Sequence, residues 1–384
     1  MPKYKIKDLA EEISIRVDDP KTSGYEFFVG LEHYDSGKPI ITRYGSTSKL
    51  DSSAKVFKSG DILIARRNVY LKRAGVVYFD GLTSGDSIVI RAKTDNIQKI
   101  LPFVFNTTQF WDYETKHADG SMSKRLSPKN LLEFEVNLPS NDVELTKLSD
   151  LLWSMYDSMH SYEDVIAKSD ELIKSQFIEM FGDPFKNPKY SKALFKSCST
   201  DLTKGPFGSD MKKSLYVPKG EDTYKVYLQI NAIQKDQTLG DYFISKEYFE
   251  QKMYKYEVKP SDYIITCDGT LGEMIKLREP MERGVISPSL MRVSLIESKI
   301  NDRYFESLWK IYMLPQMESQ SRNSCLLHLP SATVLGNLEV PLPPLEIQNR
   351  YAELINQIDK SKFEIEKSLN NLKKIYEKVL RDNF

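Results

Sequence analysis

Two periodic stretches, each introduced by the same short phrase, constrain this chain more than any other feature. EVNLPSNDVELTKLSDLLWSMYD occupies residues 135–157, and EVPLPPLEIQNRYAELINQID occupies residues 339–359. In each, a Glu-Val pair leads through Leu-Pro into regularly spaced apolar positions. The first series runs Leu145, Leu148, Leu152, Met155, Met159, Tyr162, Ile166, Ser169, Ile173, Gln176 and Met180. The second runs Tyr351, Ile355, Ile358, Lys362, Ile365, Leu369, Leu372, Tyr376 and Val379. From Leu148 against Tyr351 onward they match position for position at an offset of 203. Alternating steps of three and four, sustained over several heptads, are the spacing of a coiled coil. Ser169, Gln176 and Lys362 interrupt the seams and point to register selection or a solvated stretch.

Both helices have readable limits. Phe181-Gly182-Asp183-Pro184, followed by Asn187-Pro188, ends the first, because glycine supplies a left-handed cap and proline forbids continuation. The second begins after Pro341, Pro343 and Pro344 and continues to Phe384. About 36 residues at ~1.5 Å each make a rod of roughly 54 Å.

The regions upstream also correspond. Phe28 to Glu32 matches Tyr227 to Asn231, Gly60 to Ile64 matches Ser261 to Ile265, and Ser84 to Ile90 matches Ile286 to Arg292; each reads as a turn and a short strand. The expected fold is therefore α+β. Two pseudo-symmetric β-rich domains, at 1–142 and 184–343, are separated by two long helices, at 143–183 and 344–384. Pairing within one chain makes those helices an intramolecular antiparallel coiled coil, with Phe384 returning toward the first domain.

A net charge of zero hides a partition. Residues 41–75 carry eight Lys or Arg against two Asp, residues 186–219 repeat that balance, and residues 141–183 hold ten acids against three Lys. Two basic patches separated by an acidic rod fit a polyanion contacted at two places, and equally fit charge scattered over a solvated surface. The longest apolar runs fall far short of the ~20 residues that span a bilayer, and the opening Met1-Pro-Lys-Tyr-Lys is no signal peptide, so a cytoplasmic protein without membrane contact is expected. Three scattered cysteines suit a reducing compartment.

Catalytic readings lack their parts. Asn187-Pro188-Lys189-Tyr190 is similar to the Asn-Pro-Pro-Tyr segment of amino-methyltransferases, but its third residue is Lys and no glycine-rich cofactor loop follows a strand. Lys204 to Ser209 is not a P-loop. His33, His117, His160 and His328 have no metal-ligand spacing.

Candidate nucleic-acid contacts are drawn from the basic stretches and from turns after strands. The loop Lys204-Gly205-Pro206-Phe207-Gly208-Ser209, with Lys212 and Lys213, can bring backbone close to a phosphate; its plainer reading is a tight turn. Arg66, Arg67, Lys72 and Arg73 flank the matching region of the first domain, where an arginine can hold a guanine edge or be a solvated charge. Thr266, Asp268, Gly269 and Thr270 form a turn whose short side chains either read bases or make the turn. Arg322 and Asn323 stand opposite Lys124 and Arg125, and Arg43 and Asn231 complete the set. Trp153, Tyr156, Phe177, Phe181, Tyr351 and Leu354 are assigned to partner binding, with packing of the helix against its own domain as the other reading for Trp153 and Tyr156.

These segments carry a resemblance. Lys204 to Ser209, Lys259 to Ile265, Gly269-Thr270-Leu271-Gly272 and Pro341 to Gln348 resemble the target recognition domain of type I restriction-modification specificity subunits. Val29 to His33, Gly60 to Leu63, Arg67 to Arg73 and Ser84 to Asp86 are similar to another variant of that domain, so the likeness covers essentially the whole chain. The resemblance implies a non-catalytic DNA-binding subunit that contacts double-stranded DNA and docks two methyltransferase subunits and translocating restriction subunits. It implies no cofactor in this chain, with S-adenosylmethionine on the methyltransferase and ATP with magnesium on the nuclease. Each recognition domain would read half of a split, asymmetric target, and the helices would fix the spacer. The first domain departs from the pattern, since Asp18 to Tyr25 stands where the Gly-Pro-Phe-Gly-Ser loop belongs. A coiled-coil scaffold whose β-rich heads bind protein is the alternative, and dependence of binding on salt and sequence separates the two.

Overall fold

The computed structural model describes residues 1–120, 124–236, 238–321, 329 and 331–384, the side chains of 320 and 321 excepted. The chain divides into two compact units, one of residues 1–164 with 365–384, the other of residues 165–364.

In the first unit, a four-stranded antiparallel sheet has the order Ala10–Ile13, Ser87–Ala92, Ile62–Ala65, Ala74–Val76. Its central strands read as continuous apolar runs because Ile62, Leu63, Ile64, Ile88, Val89 and Ile90 are all fully buried. A second sheet has the order Arg16–Val17, Ala54–Phe57, Gly81–Thr83, Phe27–Val29, Gly45–Ser46. Within it, Phe27–Val29 and Gly81–Thr83 run parallel.

The second unit repeats this plan. Its antiparallel sheet has the order Ser199–Lys204, Leu290–Leu295, Tyr263–Thr266, Met274–Lys276. Its other sheet has the order Tyr242–Ser245, Thr223–Tyr227, Gly284–Ile286, Glu257–Val258, and again contains one parallel pair, Thr223–Tyr227 with Gly284–Ile286. A parallel pair needs a long crossover rather than a hairpin, so its recurrence at the matching place is a strong sign of duplication. The first unit differs by the extra edge strand Arg16–Val17.

The Glu-Val phrase is the same strand in both units. Glu135–Asn137 pairs with Lys3–Lys5, and Glu339–Pro341 pairs with Lys192–Leu194, so in each head the last strand before a helix departs pairs with one near the head's start. The helices are Asp142–Phe181 and Leu345–Asn383. Phe181 is followed by Gly182 at φ +80°, the left-handed cap that the sequence requires. A short ladder between Gly182–Asp183 and Asn187–Pro188 then turns the chain, which makes the Asn-Pro-Lys-Tyr segment part of a hairpin.

The helices pair antiparallel within each unit. In the first, Leu145, Leu148 and Leu152 share a core with Phe384, while Glu163 lies 2.8 Å from Lys373. In the second, Asp170 lies 2.7 Å from Lys362, and the Tyr351 hydroxyl, earlier in the C-terminal helix, donates to the Ile173 carbonyl, later in the first. The seam positions expected from the sequence are all buried or half-buried. Beyond Ile173, however, Phe177 and Phe181 are the fully buried residues, and Gln176 and Met180 are only half-buried. A straight helix of period 3.6 drifts from a 3.5 repeat, and here the drift turns the two rings toward Tyr304 and Tyr351.

The heads also contain short helices not expected from strand patterns. Asp95–Val104 and Thr108–His117, capped by the Thr94 and Thr107 hydroxyls, carry Phe103, Phe110 and Trp111 into the first core. Asp302–Leu308, capped by Asn301, does the same in the second with Tyr304 and Phe305. Among the described residues no helix is long and apolar enough to cross a membrane.

Candidate nucleic-acid interface

In the second unit, sheet register assembles the site. Lys204 pairs with Met291 and Thr266 pairs with Leu290, so the ends of two strands flank the start of the strand between them. The loop from Gly205 to Ser209 and the turn from Cys267 to Glu273 therefore leave the sheet side by side. The Gly205 N–H donates to the Leu290 carbonyl at 2.8 Å, and the Cys267 N–H donates to the Ser289 carbonyl at 2.7 Å. A Cβ on Gly205 would collide with the Ser287 carbonyl, so only glycine allows this approach. Burial pushes the Cys267 thiol up to about 12, against the opposing pull of the nearby Lys204 ammonium.

Phe207 is 82% exposed at the tip of that loop, with Gly208, Ser209, Lys212 and Lys213 exposed after it. Pro206 is buried and anchors the loop. In the neighbouring turn Gly269, at φ +71°, and Thr270 are exposed, and Asp268 is half-buried. Thr266 does not read bases as expected: it is fully buried, its hydroxyl donating to the Thr270 carbonyl and accepting the Glu273 N–H. Asn231 is likewise structural, since it is 6% exposed, accepts from the Leu228 N–H at 3.1 Å and donates to Asp241 at 3.0 Å.

The first unit presents the corresponding sheet end with different chemistry. Ala65 pairs with Ser87, and the Arg66 N–H donates to the Asp86 carbonyl at 2.8 Å. Arg67 is exposed and ion-paired to Asp86 at 2.9 Å. Leu126 pairs its N–H with the Arg66 carbonyl, and Arg67 forms a bridge with Arg125, so the structure brings together two basic pairs far apart in sequence. Lys124 is exposed, its ammonium 3.3 Å from the Thr115 carbonyl. Between Arg67 and Arg73, Asn68 and Lys72 both adopt left-handed backbone, at φ 56° and 48°, around the turn Val69–Leu71. That turn holds Tyr70 out, 70% exposed.

Three expected contacts do other work. Arg73 donates to the Leu31 and Arg67 carbonyls at 2.9 and 3.2 Å and braces the loop. Arg66 is half-buried, its Nε donating to the Leu126 carbonyl at 3.2 Å. Arg43 stands apart, paired with Asp35 at 2.8 Å on a segment whose Ile41 N–H bonds Val76, at the opposite end of the sheet. Arg322 and Asn323 lie outside the described residues. Tyr70 escaped the sequence reading, although its place between Arg67 and Lys72 was the available signal.

The helix aromatics assigned to packing or partners fall into two groups. Phe177, Phe181 and Tyr351 are fully buried within their own unit, which corrects any role at a partner surface. Trp153 is half-buried, donates to the Lys99 carbonyl at 2.9 Å and packs on Phe103, so it too ties the helix to its head. Leu354 and Tyr156 are half-buried, and Tyr156 lines a cleft of about 590 Å³ with Met159, Lys373 and Tyr376.

Comparison with known proteins bears on this arrangement. Residues 207–374 match the family described as the type I restriction modification DNA specificity domain. The matched span begins at Phe207 and includes the Cys267 to Glu273 turn. A curated relative, the type I restriction enzyme EcoBI specificity subunit of Escherichia coli, is 30% identical over 129 residues; the match spans 33% of this chain but only 26% of that protein. Two solved structures share the fold across 100% of this chain. One, from work on assembly and conformational transition of a type I restriction-modification system, has a TM-score of 0.60 at 18% identity over 97% of its chain. The other, the S subunit of M. genitalium, has a TM-score of 0.60 at 12% identity over 96% of its chain. At such identities the likeness is one of fold.

Proposed function

We propose that this chain is the DNA specificity subunit of a type I restriction-modification complex, in which each unit reads one half of a bipartite, asymmetric target. The observation that carries the reading is the placement of exposed loops at the same end of equivalent sheets in both units, one of them starting the stretch that matches the specificity domain. Both loop sets are basic, with Arg67, Lys72, Lys124 and Arg125 in one unit and Lys204, Lys212 and Lys213 in the other. Cations at backbone positions hold a duplex in register, while the remaining side chains discriminate bases. Because the loops differ in sequence and length, the two half-sites differ. The long helices, each continuous from one unit into the other, set the number of base pairs between them and dock two methyltransferase subunits. Chemistry belongs to those partners, S-adenosylmethionine on the methyltransferases and ATP with magnesium on restriction subunits, and this chain contributes address rather than catalysis.

The test is to express the chain with its methyltransferase partner in a host lacking both and to map methylated bases genome-wide. One split motif with two unlike halves is expected. Methylation without sequence preference, or none that depends on this chain, would reject the reading.

A further inference from the structure

Phe207 is the most exposed large hydrophobic residue among the described ones, at 82%, and the loop that carries it is built to keep it there. Behind it, Pro206 is buried, and Gly205 lies against the Ser287 carbonyl with no room for a side chain. Ahead of it, the Asp210 N–H donates to the Phe207 carbonyl at 2.9 Å, and the Met211 N–H to the Gly208 carbonyl at 3.2 Å. Asp210 is fixed in turn, its carbonyl accepting from the Tyr248 hydroxyl at 2.9 Å and its carboxylate from Lys252 at 2.5 Å. A ring on a loop fastened on both sides, 82% exposed and flanked by Lys204, Lys212 and Lys213, is poorly explained as loop packing, because among the described residues it joins no hydrophobic cluster and no aromatic pair.

We infer that Phe207 is an apolar wedge that inserts between adjacent base pairs within or beside the half-site read by the second unit, unstacking one step while the lysines hold the flanking phosphates. The inference rests on the DNA-reading role proposed above and adds to it a mode of readout. Wedges of this kind convert the sequence-dependent cost of unstacking into specificity at a step that no hydrogen bond reads. Cation-flanked insertion suits a phenylalanine, which supplies a π-face to any base and no polar atom to be left unpaired.

The experiment uses the subunit assembled with its methyltransferase partner and duplexes of the mapped target carrying 2-aminopurine successively across both half-sites. On wild-type binding, one position in the second unit's half-site, other than the methylated base, should brighten as its stack opens. Phe207→Ala should abolish that brightening and weaken binding about tenfold, as expected for loss of one base–aromatic stack. Phe207→Trp should retain both, and fluorescence in the other half-site should be unchanged by either variant. Because the ring is exposed, the alanine variant keeps the fold. Specific binding with no such brightening, or brightening that survives Phe207→Ala, overturns the wedge while leaving the DNA-reading role intact. A Phe207→Ala variant that assembles less complex, with wild-type DNA signals from the complex that does form, would place the ring in a protein contact and also overturn it. Absence of any sequence preference in the wild-type complex defeats both proposals together.

Discussion

Asp61 and Asp262 make the same bond in the two units: each carboxylate accepts, at 2.7 Å, the backbone N–H of the lysine three residues earlier, Lys58 in one case and Lys259 in the other. Each sits after a left-handed residue, Gly60 at φ +94° and Ser261 at φ +74°, and both are nearly fully buried. What faces them has diverged. Arg91 grips Asp61 with two bonds of 2.7 and 2.8 Å, whereas Ser294 donates one bond of 2.5 Å to Asp262.

From that divergence, Asp61→Ala and Asp262→Ala should each destabilise their unit by about 2 kcal/mol, since each leaves a turn N–H unpaired. A double-mutant cycle over Asp61 and Arg91 should give a coupling of about 1 kcal/mol or more, larger than that over Asp262 and Ser294. Urea titrations of the four variants in each cycle measure it. Equal couplings would contradict the expectation.

Glu114 gives a stability that depends on pH. It is fully buried, neither carboxyl oxygen has a hydrogen-bond partner among the described residues, and burial pushes it up to about 8. The unfolded chain releases this proton near the ordinary carboxylate value, so between that value and about 8 the folded state holds more protons. Stability of the first unit should therefore fall as pH rises through this window and flatten above it. Glu114→Gln should remove the slope and stabilise the unit at pH 8 by on the order of 3 kcal/mol. Urea midpoints at pH 5.5 and 8.5 decide the matter.

Lys362 interrupts an apolar seam, and its partner Asp170 is 63% exposed. Exposed ion pairs contribute little, so Asp170→Ala should cost less than about 1 kcal/mol. Lys362→Leu should instead raise thermal stability, because it fills the seam. A lowered melting temperature for the leucine variant would show that the lysine is needed for register.

Removing seven residues from each long helix shortens the pair by about 10.5 Å, comparable to ~3 base pairs. The mapped motif should keep both halves and lose about that many spacer positions. Changed halves with an unchanged spacer would refute the spacing role proposed for the helices.

Exchanging residues 1–140 for the equivalent part of a relative should alter one half of the methylated motif. If both halves change, the units do not read independently.

The duplication was legible because heptad spacing survives at an offset of 203, and because Glu-Val before Leu-Pro marks the same closing strand twice. The short head helices were not, since Asp95–Val104 holds Pro102 inside it and Asp302–Leu308 is only seven residues long. Within the site, sequence identified the loops but not which side chains they expose. Thr266 and Thr270 look alike as letters, yet one completes a buried turn and the other faces solvent. Arg67 and Arg73 differ in the same way, one exposed and the other spent on two carbonyls. That distinction depends on register, which pairs Thr266 with Leu290 across a sheet and is invisible locally.

Phe384 lies in the core of the first unit beside Leu145 and Leu148, and that unit is thus assembled from two separated pieces of chain, while the second is one uninterrupted segment. During synthesis the second unit can complete its core once residue 364 has emerged, whereas the first, although its larger piece is translated earlier, must wait for residues 365–384. The order of completion on the ribosome is therefore the reverse of the order of translation. A frameshift or proteolytic cut that removes residues 365–384 would therefore injure the unit that contains residues 1–164.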